Sequence, residues 1–166
     1  MEKPTLVVWT LAKVSISVLF AGWCALHLRR WDPYLGVSLP AWTRTLGLIF
    51  LIAGGVLVLL CGGILSTRGI YEMPGDRFFP KEFVAFGPFR YLRNPMSLGG
   101  VILMTGLGLY QSSASILLLA AALFLFLHLM VVYVEEPGLE KRFGESYRVY
   151  KRSVNRWLPR FGSNKS

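Results

Sequence analysis

Met96–Tyr110 reads MSLGGVILMTGLGLY, Gln111–Ser115 reads QSSAS, and Ile116–Val134 reads ILLLAAALFLFLHLMVVYV. The two apolar blocks, of 15 and 19 residues, contain no Asp, Glu, Lys or Arg. As helices they measure about 22 Å and about 28 Å, against a bilayer hydrocarbon core of about 30 Å. Joined by so short a polar turn, they form a helical hairpin that begins and ends on one side of a membrane. The segments before Met96 and after Val134 therefore share that side. The hairpin places Gly87–Pro95 beside Glu135-Glu136-Pro137.

Working outward, Leu46–Leu65 is a further apolar block with glycines seven apart, Gly47 with Gly54 and Gly55 with Gly62. Recurring small residues let another helix backbone approach closely. The first apolar stretch, Leu6–Leu28, is interrupted by Lys13, whose long side chain can snorkel to the nearer interface. It is too long for a cleaved leader and ends in Leu28-Arg29-Arg30-Trp31 without a small-residue cleavage site. The connection from Arg29 to Thr45 holds Trp31, Pro33, Tyr34, Pro40 and Trp42, residues suited to the headgroup region. In the tail, Leu139, Phe143, Tyr147 and Tyr150 recur every three or four residues, the pattern of an amphipathic helix lying in the interface. The expected fold is an all-α integral membrane bundle, a single domain over 1–166 with spans at about 6–28, 46–65, 96–110 and 116–134. A loop over 66–95 and a tail over 135–166 complete it.

The composition agrees. Apolar residues make up 54% and charged residues only 16% of the chain, and the apolar ones are blocked rather than interspersed. Average soluble domains carry about a quarter charged residues. The net charge of +9 is not a nucleic-acid footprint, because the basic residues flank apolar blocks instead of lining one face. With four spans, 15 of the 18 Lys and Arg fall on one side, the exceptions being Arg29, Arg30 and Arg44. The positive-inside rule makes that side, with both termini, cytoplasmic. Cys24 and Cys61 both lie in apolar segments and read as small packing residues, not as a disulfide or metal pair.

Two segments carry chemistry. Asn94-Pro95 reads as an N-cap and first helical residue, so the third membrane helix starts there. Its free N–H groups and dipole favour an anion, with Arg90 and Arg93 close by. Capping with positive-inside arginines explains the same residues without a ligand. Glu135 and Glu136 at the rim of an apolar helix must face protein, water or a cation. The plainer account is an ion pair that ties the hairpin ends together. Pro137 is expected to bend the chain into the tail. His128, seven residues before Glu135, falls on roughly the same face. It reads as an interior group first, and with Glu136 as a weak candidate for proton transfer. No metal-ligand cluster or phosphate-binding loop is visible.

In order along the chain stand Gly87-Pro88-Phe89-Arg90-Tyr91-Leu92-Arg93-Asn94-Pro95-Met96, Gly99, Glu135-Glu136-Pro137 with Leu139, Phe143-Gly144 with Tyr147 and Tyr150, and Arg156-Trp157-Leu158-Pro159. This combination, over about residues 65–160, resembles the isoprenylcysteine carboxyl methyltransferase and phospholipid methyltransferase superfamily of integral membrane methyltransferases. The resemblance implies S-adenosyl-L-methionine as cofactor, held between the Arg90–Pro95 and Glu135–Glu136 segments. Phe89, Asn94, Pro95, Met96 and Ser97 match cofactor-contacting positions, and the run from Lys81 to Val84 contributes partly through its backbone. Arg90 and Arg93 suit the cofactor's carboxylate, and Glu135 and Glu136 its amino group and ribose hydroxyls. The methyl acceptor implied is a lipophilic small molecule or lipid, its reacting group a carboxylate, an amine or a thiol. A non-catalytic scaffold, a small transporter and an inactive cofactor-binding relative are the alternatives at this stage.

Overall fold

The computed structural model of the chain describes residues 22–67 and 85–159, and every regular element among them is helical. Residues 22–28 form α1, and a 3-10 turn, Arg29–Trp31, leads into the one-turn α2, Asp32–Leu35. Then come α3 (Trp42–Thr67), α4 (Pro95–Tyr110) and α5 (Ala114–Met130). A π-helical turn, Val131–Glu135, carries α5 into α6 (Glu136–Phe143), and α7 (Glu145–Ser153) comes after it.

Two stretches among the described residues are long and apolar enough to cross a membrane, Trp42–Leu65 and Ala114–Phe143. The second has 30 residues, or about 45 Å of helix, so roughly its first 20 fill a hydrocarbon core of about 30 Å. Glu135 and the residues after it stand beyond that slab. α4 is a shorter apolar helix of 16 residues. The first expected span lies within the described residues only at 22–28, and Lys13 lies outside them.

The helices pack through their glycines. A Cβ on Gly54 would come within 2.7 Å of the Leu103 nitrogen and 2.8 Å of the Gly99 carbonyl oxygen. One on Gly106 would meet the Leu51 nitrogen at 2.7 Å and the Gly47 carbonyl at 2.9 Å, so Gly47 faces Gly106 as Gly54 faces Gly99. These two crossings let α3 and α4 touch backbone to backbone, where packing rather than water exclusion holds helices together. The other pair behaves differently. A Cβ on Gly55 would approach Leu103 only to 4.0 Å, and one on Gly62 would meet nothing within 4 Å among the described residues. Their side of α3 belongs with the exposed Ile52, Val56 and Leu59, an apolar surface for lipid.

The hairpin of α4 and α5 turns at Gln111–Ser113, with Ser112 in the left-handed region at φ 52°. Ser113 Oγ accepts from the Ile116 N–H at 3.3 Å, and the Asp32 carboxylate accepts from the Ser115 N–H at 2.9 Å. Two oxygens thus cap the start of α5. Arg29 donates to Gln111 at 2.6 Å, and Ala25 of α1 joins Met104, Ile116 and Ala120 in a buried cluster. The connection after α1 is therefore fastened to the hairpin turn. Cys61 is buried and Cys24 partly so, both as free thiols.

Candidate functional site at the charged end of the hairpin

The opposite end of the hairpin collects the charged residues. Gly87, at φ 62°, turns the chain into a 3-10 turn, Gly87–Arg90, from which Phe89 packs with Ile64, Leu65 and Met96. Asn94 occupies the cap position of α4 and Pro95 its first turn, but the Asn94 side chain makes no capping hydrogen bond. The first helical bond runs from the Leu98 N–H to the Asn94 carbonyl at 3.1 Å. Since Pro95 has no N–H, the Met96 and Ser97 amides are the unbonded donors that a helix start leaves.

Glu136 is the hub of the site. Only 5% of its side chain is exposed, and Arg93 Nη1 donates to its Oε1 at 2.8 Å. Arg156 binds it twice, Nε to Oε1 at 2.6 Å and Nη2 to Oε2 at 3.1 Å. Lys151 Nζ lies 3.2 Å from Oε2. Burial alone raises this carboxyl, but the Arg156 hydrogen bond and the charges of Arg93 and Arg156 outweigh it and hold Glu136 below the usual carboxylate range. The Arg93–Glu136 bond joins the two segments that the hairpin topology put on one side, and it is the ion pair of the plainer account. The Arg93 N–H also donates to the Asn155 carbonyl at 3.0 Å, while Arg93 Nε is buried without a partner among the described residues.

The tail folds back over these segments. Gly144, at φ 55°, splits it into α6 and α7, so the expected single amphipathic helix is two. Their apolar residues, Leu139, Phe143, Tyr147, Tyr150 and Val154, pack into one cluster, with Tyr147 2% exposed. That face is spent inside the protein. The Tyr150 hydroxyl donates to the Phe89 carbonyl at 2.6 Å and reaches that of Leu92 at 3.4 Å. Burial pushes the Tyr150 phenol up, and burial followed by the Glu136 charge does the same for Tyr147.

The chain does not leave the helix at Pro137 as expected: the helix runs from Ala114 through Phe143, with the wider π turn Val131–Glu135 ending just before the proline. The wider turn also changes which residues share a face. Trp157 Nε1 donates to His128 Nδ1 at 3.0 Å while its neighbour Arg156 holds Glu136. His128 thus aligns with Glu136 on the tail-facing side, where an uninterrupted α-helix would have aligned it with Glu135. Trp157 also packs edge-on to Phe124, ring centres 5.2 Å apart at 61°.

Among the described residues no hydrogen bond or ion pair engages the side chain of Arg90, Asn94, Ser97 or Glu135. Burial first, then the Glu136 charge, push the Glu135 carboxyl up. Lys81 and Val84 lie outside the described residues. Sequence reasoning missed Lys151 as a Glu136 partner and Tyr150 as a clamp on the 3-10 turn. The aromatic spacing of the tail carried the Tyr150 signal, but only the turn at Gly144 reveals its target.

An all-helical membrane protein with a charged, tail-covered end is the class that the fold and site define. The chain matches the phospholipid methyltransferase family over residues 42–146 and belongs to it. Its fold is also that of a solved eukaryotic intramembrane Ras methyltransferase, isoprenylcysteine carboxyl methyltransferase, with a TM-score of 0.63 and 21% identity. That match covers 87% of this chain and 53% of the other, so the chain spans about half the length of that structure. No curated protein matches the chain.

Proposed function

We propose that the chain transfers a methyl group from S-adenosyl-L-methionine to a lipophilic carboxylate or amine at the cytoplasmic face of a membrane, with both termini in the cytoplasm. The observation that carries this reading is the division between two adjacent carboxylates. Glu136 is enclosed by Arg93, Lys151 and Arg156, whereas Glu135 is half-buried and unpartnered among the described residues. A half-buried carboxylate without a cation is costly, and its neighbour Glu136 is bonded to Arg93, whose Nε also lacks a partner among the described residues and which stands just before the start of α4. That set of groups suits a zwitterion. Glu135 would take the cofactor's ammonium or ribose hydroxyls, and Arg90, Arg93 and the Met96 and Ser97 amides its carboxylate. Asn94 adds an amide, and Phe89, Pro95 and Met96 an apolar wall. When bound there, the cofactor supplies a methyl already activated on a sulfonium.

In this reading Glu136 is a positioning residue, since both of its oxygens are occupied. The protein's task is alignment of acceptor and cofactor, which accounts for large accelerations when the leaving group is already activated. The acceptor arrives from the bilayer along the apolar helix faces. The excess of Lys and Arg at this end supports the cytoplasmic assignment.

The test is incubation of the purified protein with methyl-labelled cofactor and a total lipid extract, followed by mass identification of the product. The reading predicts a labelled lipophile, and transfer reduced about tenfold or more in Asn94→Ala and Glu135→Gln. A scaffold or transporter would yield no labelled product.

A further inference from the structure

The tail carries more positive charge than its own carboxylates balance. Between Glu136 and Arg156 stand six Lys and Arg and three Glu. Part of this excess is gathered in an open groove of about 520 Å³ between α6 and α7, lined by Glu140, Arg148, Lys151 and Arg152. Arg148 Nε donates to Glu140 Oε1 at 2.8 Å, and Lys151 Nζ stands 3.5 Å from Glu140 Oε2. Arg148 Nη1 comes only within 3.6 Å of Glu145. Three cations thus share the groove with one carboxylate, and they are open to an incoming group, Arg148 being 52% exposed and Lys151 38%.

The helix beneath the groove sets its depth. Glu140 comes 26 residues after Ala114 on one continuous helix, about 39 Å of rise, or about 37 Å along the membrane normal at the usual tilt of about 20°. With Ala114 at the far edge, the hydrocarbon core takes about 30 Å of this, and headgroups extend the bilayer to about 40–45 Å in all. The groove therefore lies at the level of the lipid phosphates. Tyr133, 73% exposed, falls about 28 Å along the same helix, at the core boundary where tyrosines collect. On α7 the exposed Val149 adjoins Arg148 and stands one turn before Arg152. Cations flanked by an apolar side chain suit a phosphate that carries acyl chains.

We propose that the α6–α7 groove binds the phosphate of an anionic membrane lipid through Arg148, Lys151 and Arg152. The inference goes beyond the methyltransferase reading and does not depend on it, since the lipid here is a ligand of the tail and not the methyl acceptor. A guanidinium pairs with phosphate through parallel hydrogen bonds, and Glu140 competes for the same donors. A zwitterionic headgroup brings a cation of its own, which the groove's surplus charge repels.

The test is calorimetry on the full chain in dodecylmaltoside micelles, titrated with dioctanoyl phosphatidylglycerol, dioctanoyl phosphatidylcholine or inorganic phosphate. Phosphatidylglycerol should bind saturably, and the other two about tenfold more weakly. Arg148→Gln and Arg152→Gln should each weaken it about fivefold. Arg44→Gln, the same loss of charge at the other end of α3, should change it by less than about twofold. Glu140→Gln should tighten it about threefold or more, a gain that a loosened tail cannot produce. Equal affinity for the two lipids would overturn the proposal, and so would phosphate binding as tightly as phosphatidylglycerol. An Arg44→Gln effect matching that of Arg152→Gln would reduce the site to overall charge, and unchanged or weaker binding in Glu140→Gln would refute the groove.

Discussion

Replacing Glu136 by glutamine keeps the shape of the side chain and removes the charge that three cations share. The carboxylate is 5% exposed, Arg93 10% and Arg156 25%. Glutamine retains one oxygen, enough to accept from Arg93 and Arg156 at the Oε1 position. Its amide nitrogen then points donors at Arg156 Nη2 and Lys151 Nζ, which now occupy Oε2 at 3.1 Å and 3.2 Å. Removing one partner of a buried ion pair costs about 3–5 kcal/mol, and the retained oxygen argues for the lower end. Lys151, 38% exposed, adds at most about 1 kcal/mol. The expected loss is about 3 kcal/mol in tail docking, on the order of 10²-fold in the open population. Hydrogen exchange reads it directly, at amides such as Val154, which donates to Tyr150 at 2.9 Å, and Arg93, which donates to Asn155 at 3.0 Å. Both should open together. Glu135→Gln, the same change one residue away, should alter this protection by less than about 0.5 kcal/mol, because Glu135 holds no tail residue. Unchanged protection in Glu136→Gln would refute the hub.

The same carboxylate gives a pH dependence. Its folded pKa is held below the ordinary value of 4.5, so its contribution is present above that value and is lost as pH falls through the lower folded value. Tail protection should be flat near neutrality and fall in the acid range below 4.5. Gly54→Ala should cost about 1–3 kcal/mol in a mixed-micelle unfolding titration, because its Cβ meets backbone. Gly55→Ala, with only ordinary contact to Leu103, should be neutral or stabilising by about 0.5–1 kcal/mol. Protease added to vesicles of defined sidedness should cut α6 and α7 from the cytoplasmic side, most readily in Glu136→Gln, and cutting from the other side would reverse the orientation.

The two long apolar helices among the described residues and the pairing of α4 with α5 were legible because lipid imposes a simple rule, long apolar blocks with charge at their ends. Hairpin topology came from the brevity of Gln111–Ser115, and the Arg93–Glu136 contact came from the topology. Local geometry was less legible. A period-based reading assumes an uninterrupted α-helix from His128 to Glu135, and the π turn Val131–Glu135 exchanges Glu135 for Glu136 on the tail-facing side. Pro137 looked like a break, yet the helix continues through it from the π turn into α6. Glycine spacing named two pairs with equal force, and only the position of α4 decides that Gly47 and Gly54 meet it while Gly55 and Gly62 do not. The tail's aromatic period was right, but its face is buried by a fold at Gly144 that a single glycine does not announce.

The central claim is that this end of the hairpin holds S-adenosyl-L-methionine, with Glu135 in contact and Glu136 in support. Titration calorimetry of S-adenosylhomocysteine into the purified chain tests it most directly. The account predicts saturable one-site binding that weakens about tenfold or more in Glu135→Gln. No heat of binding in the wild-type protein, or an affinity indifferent to Glu135, would contradict it.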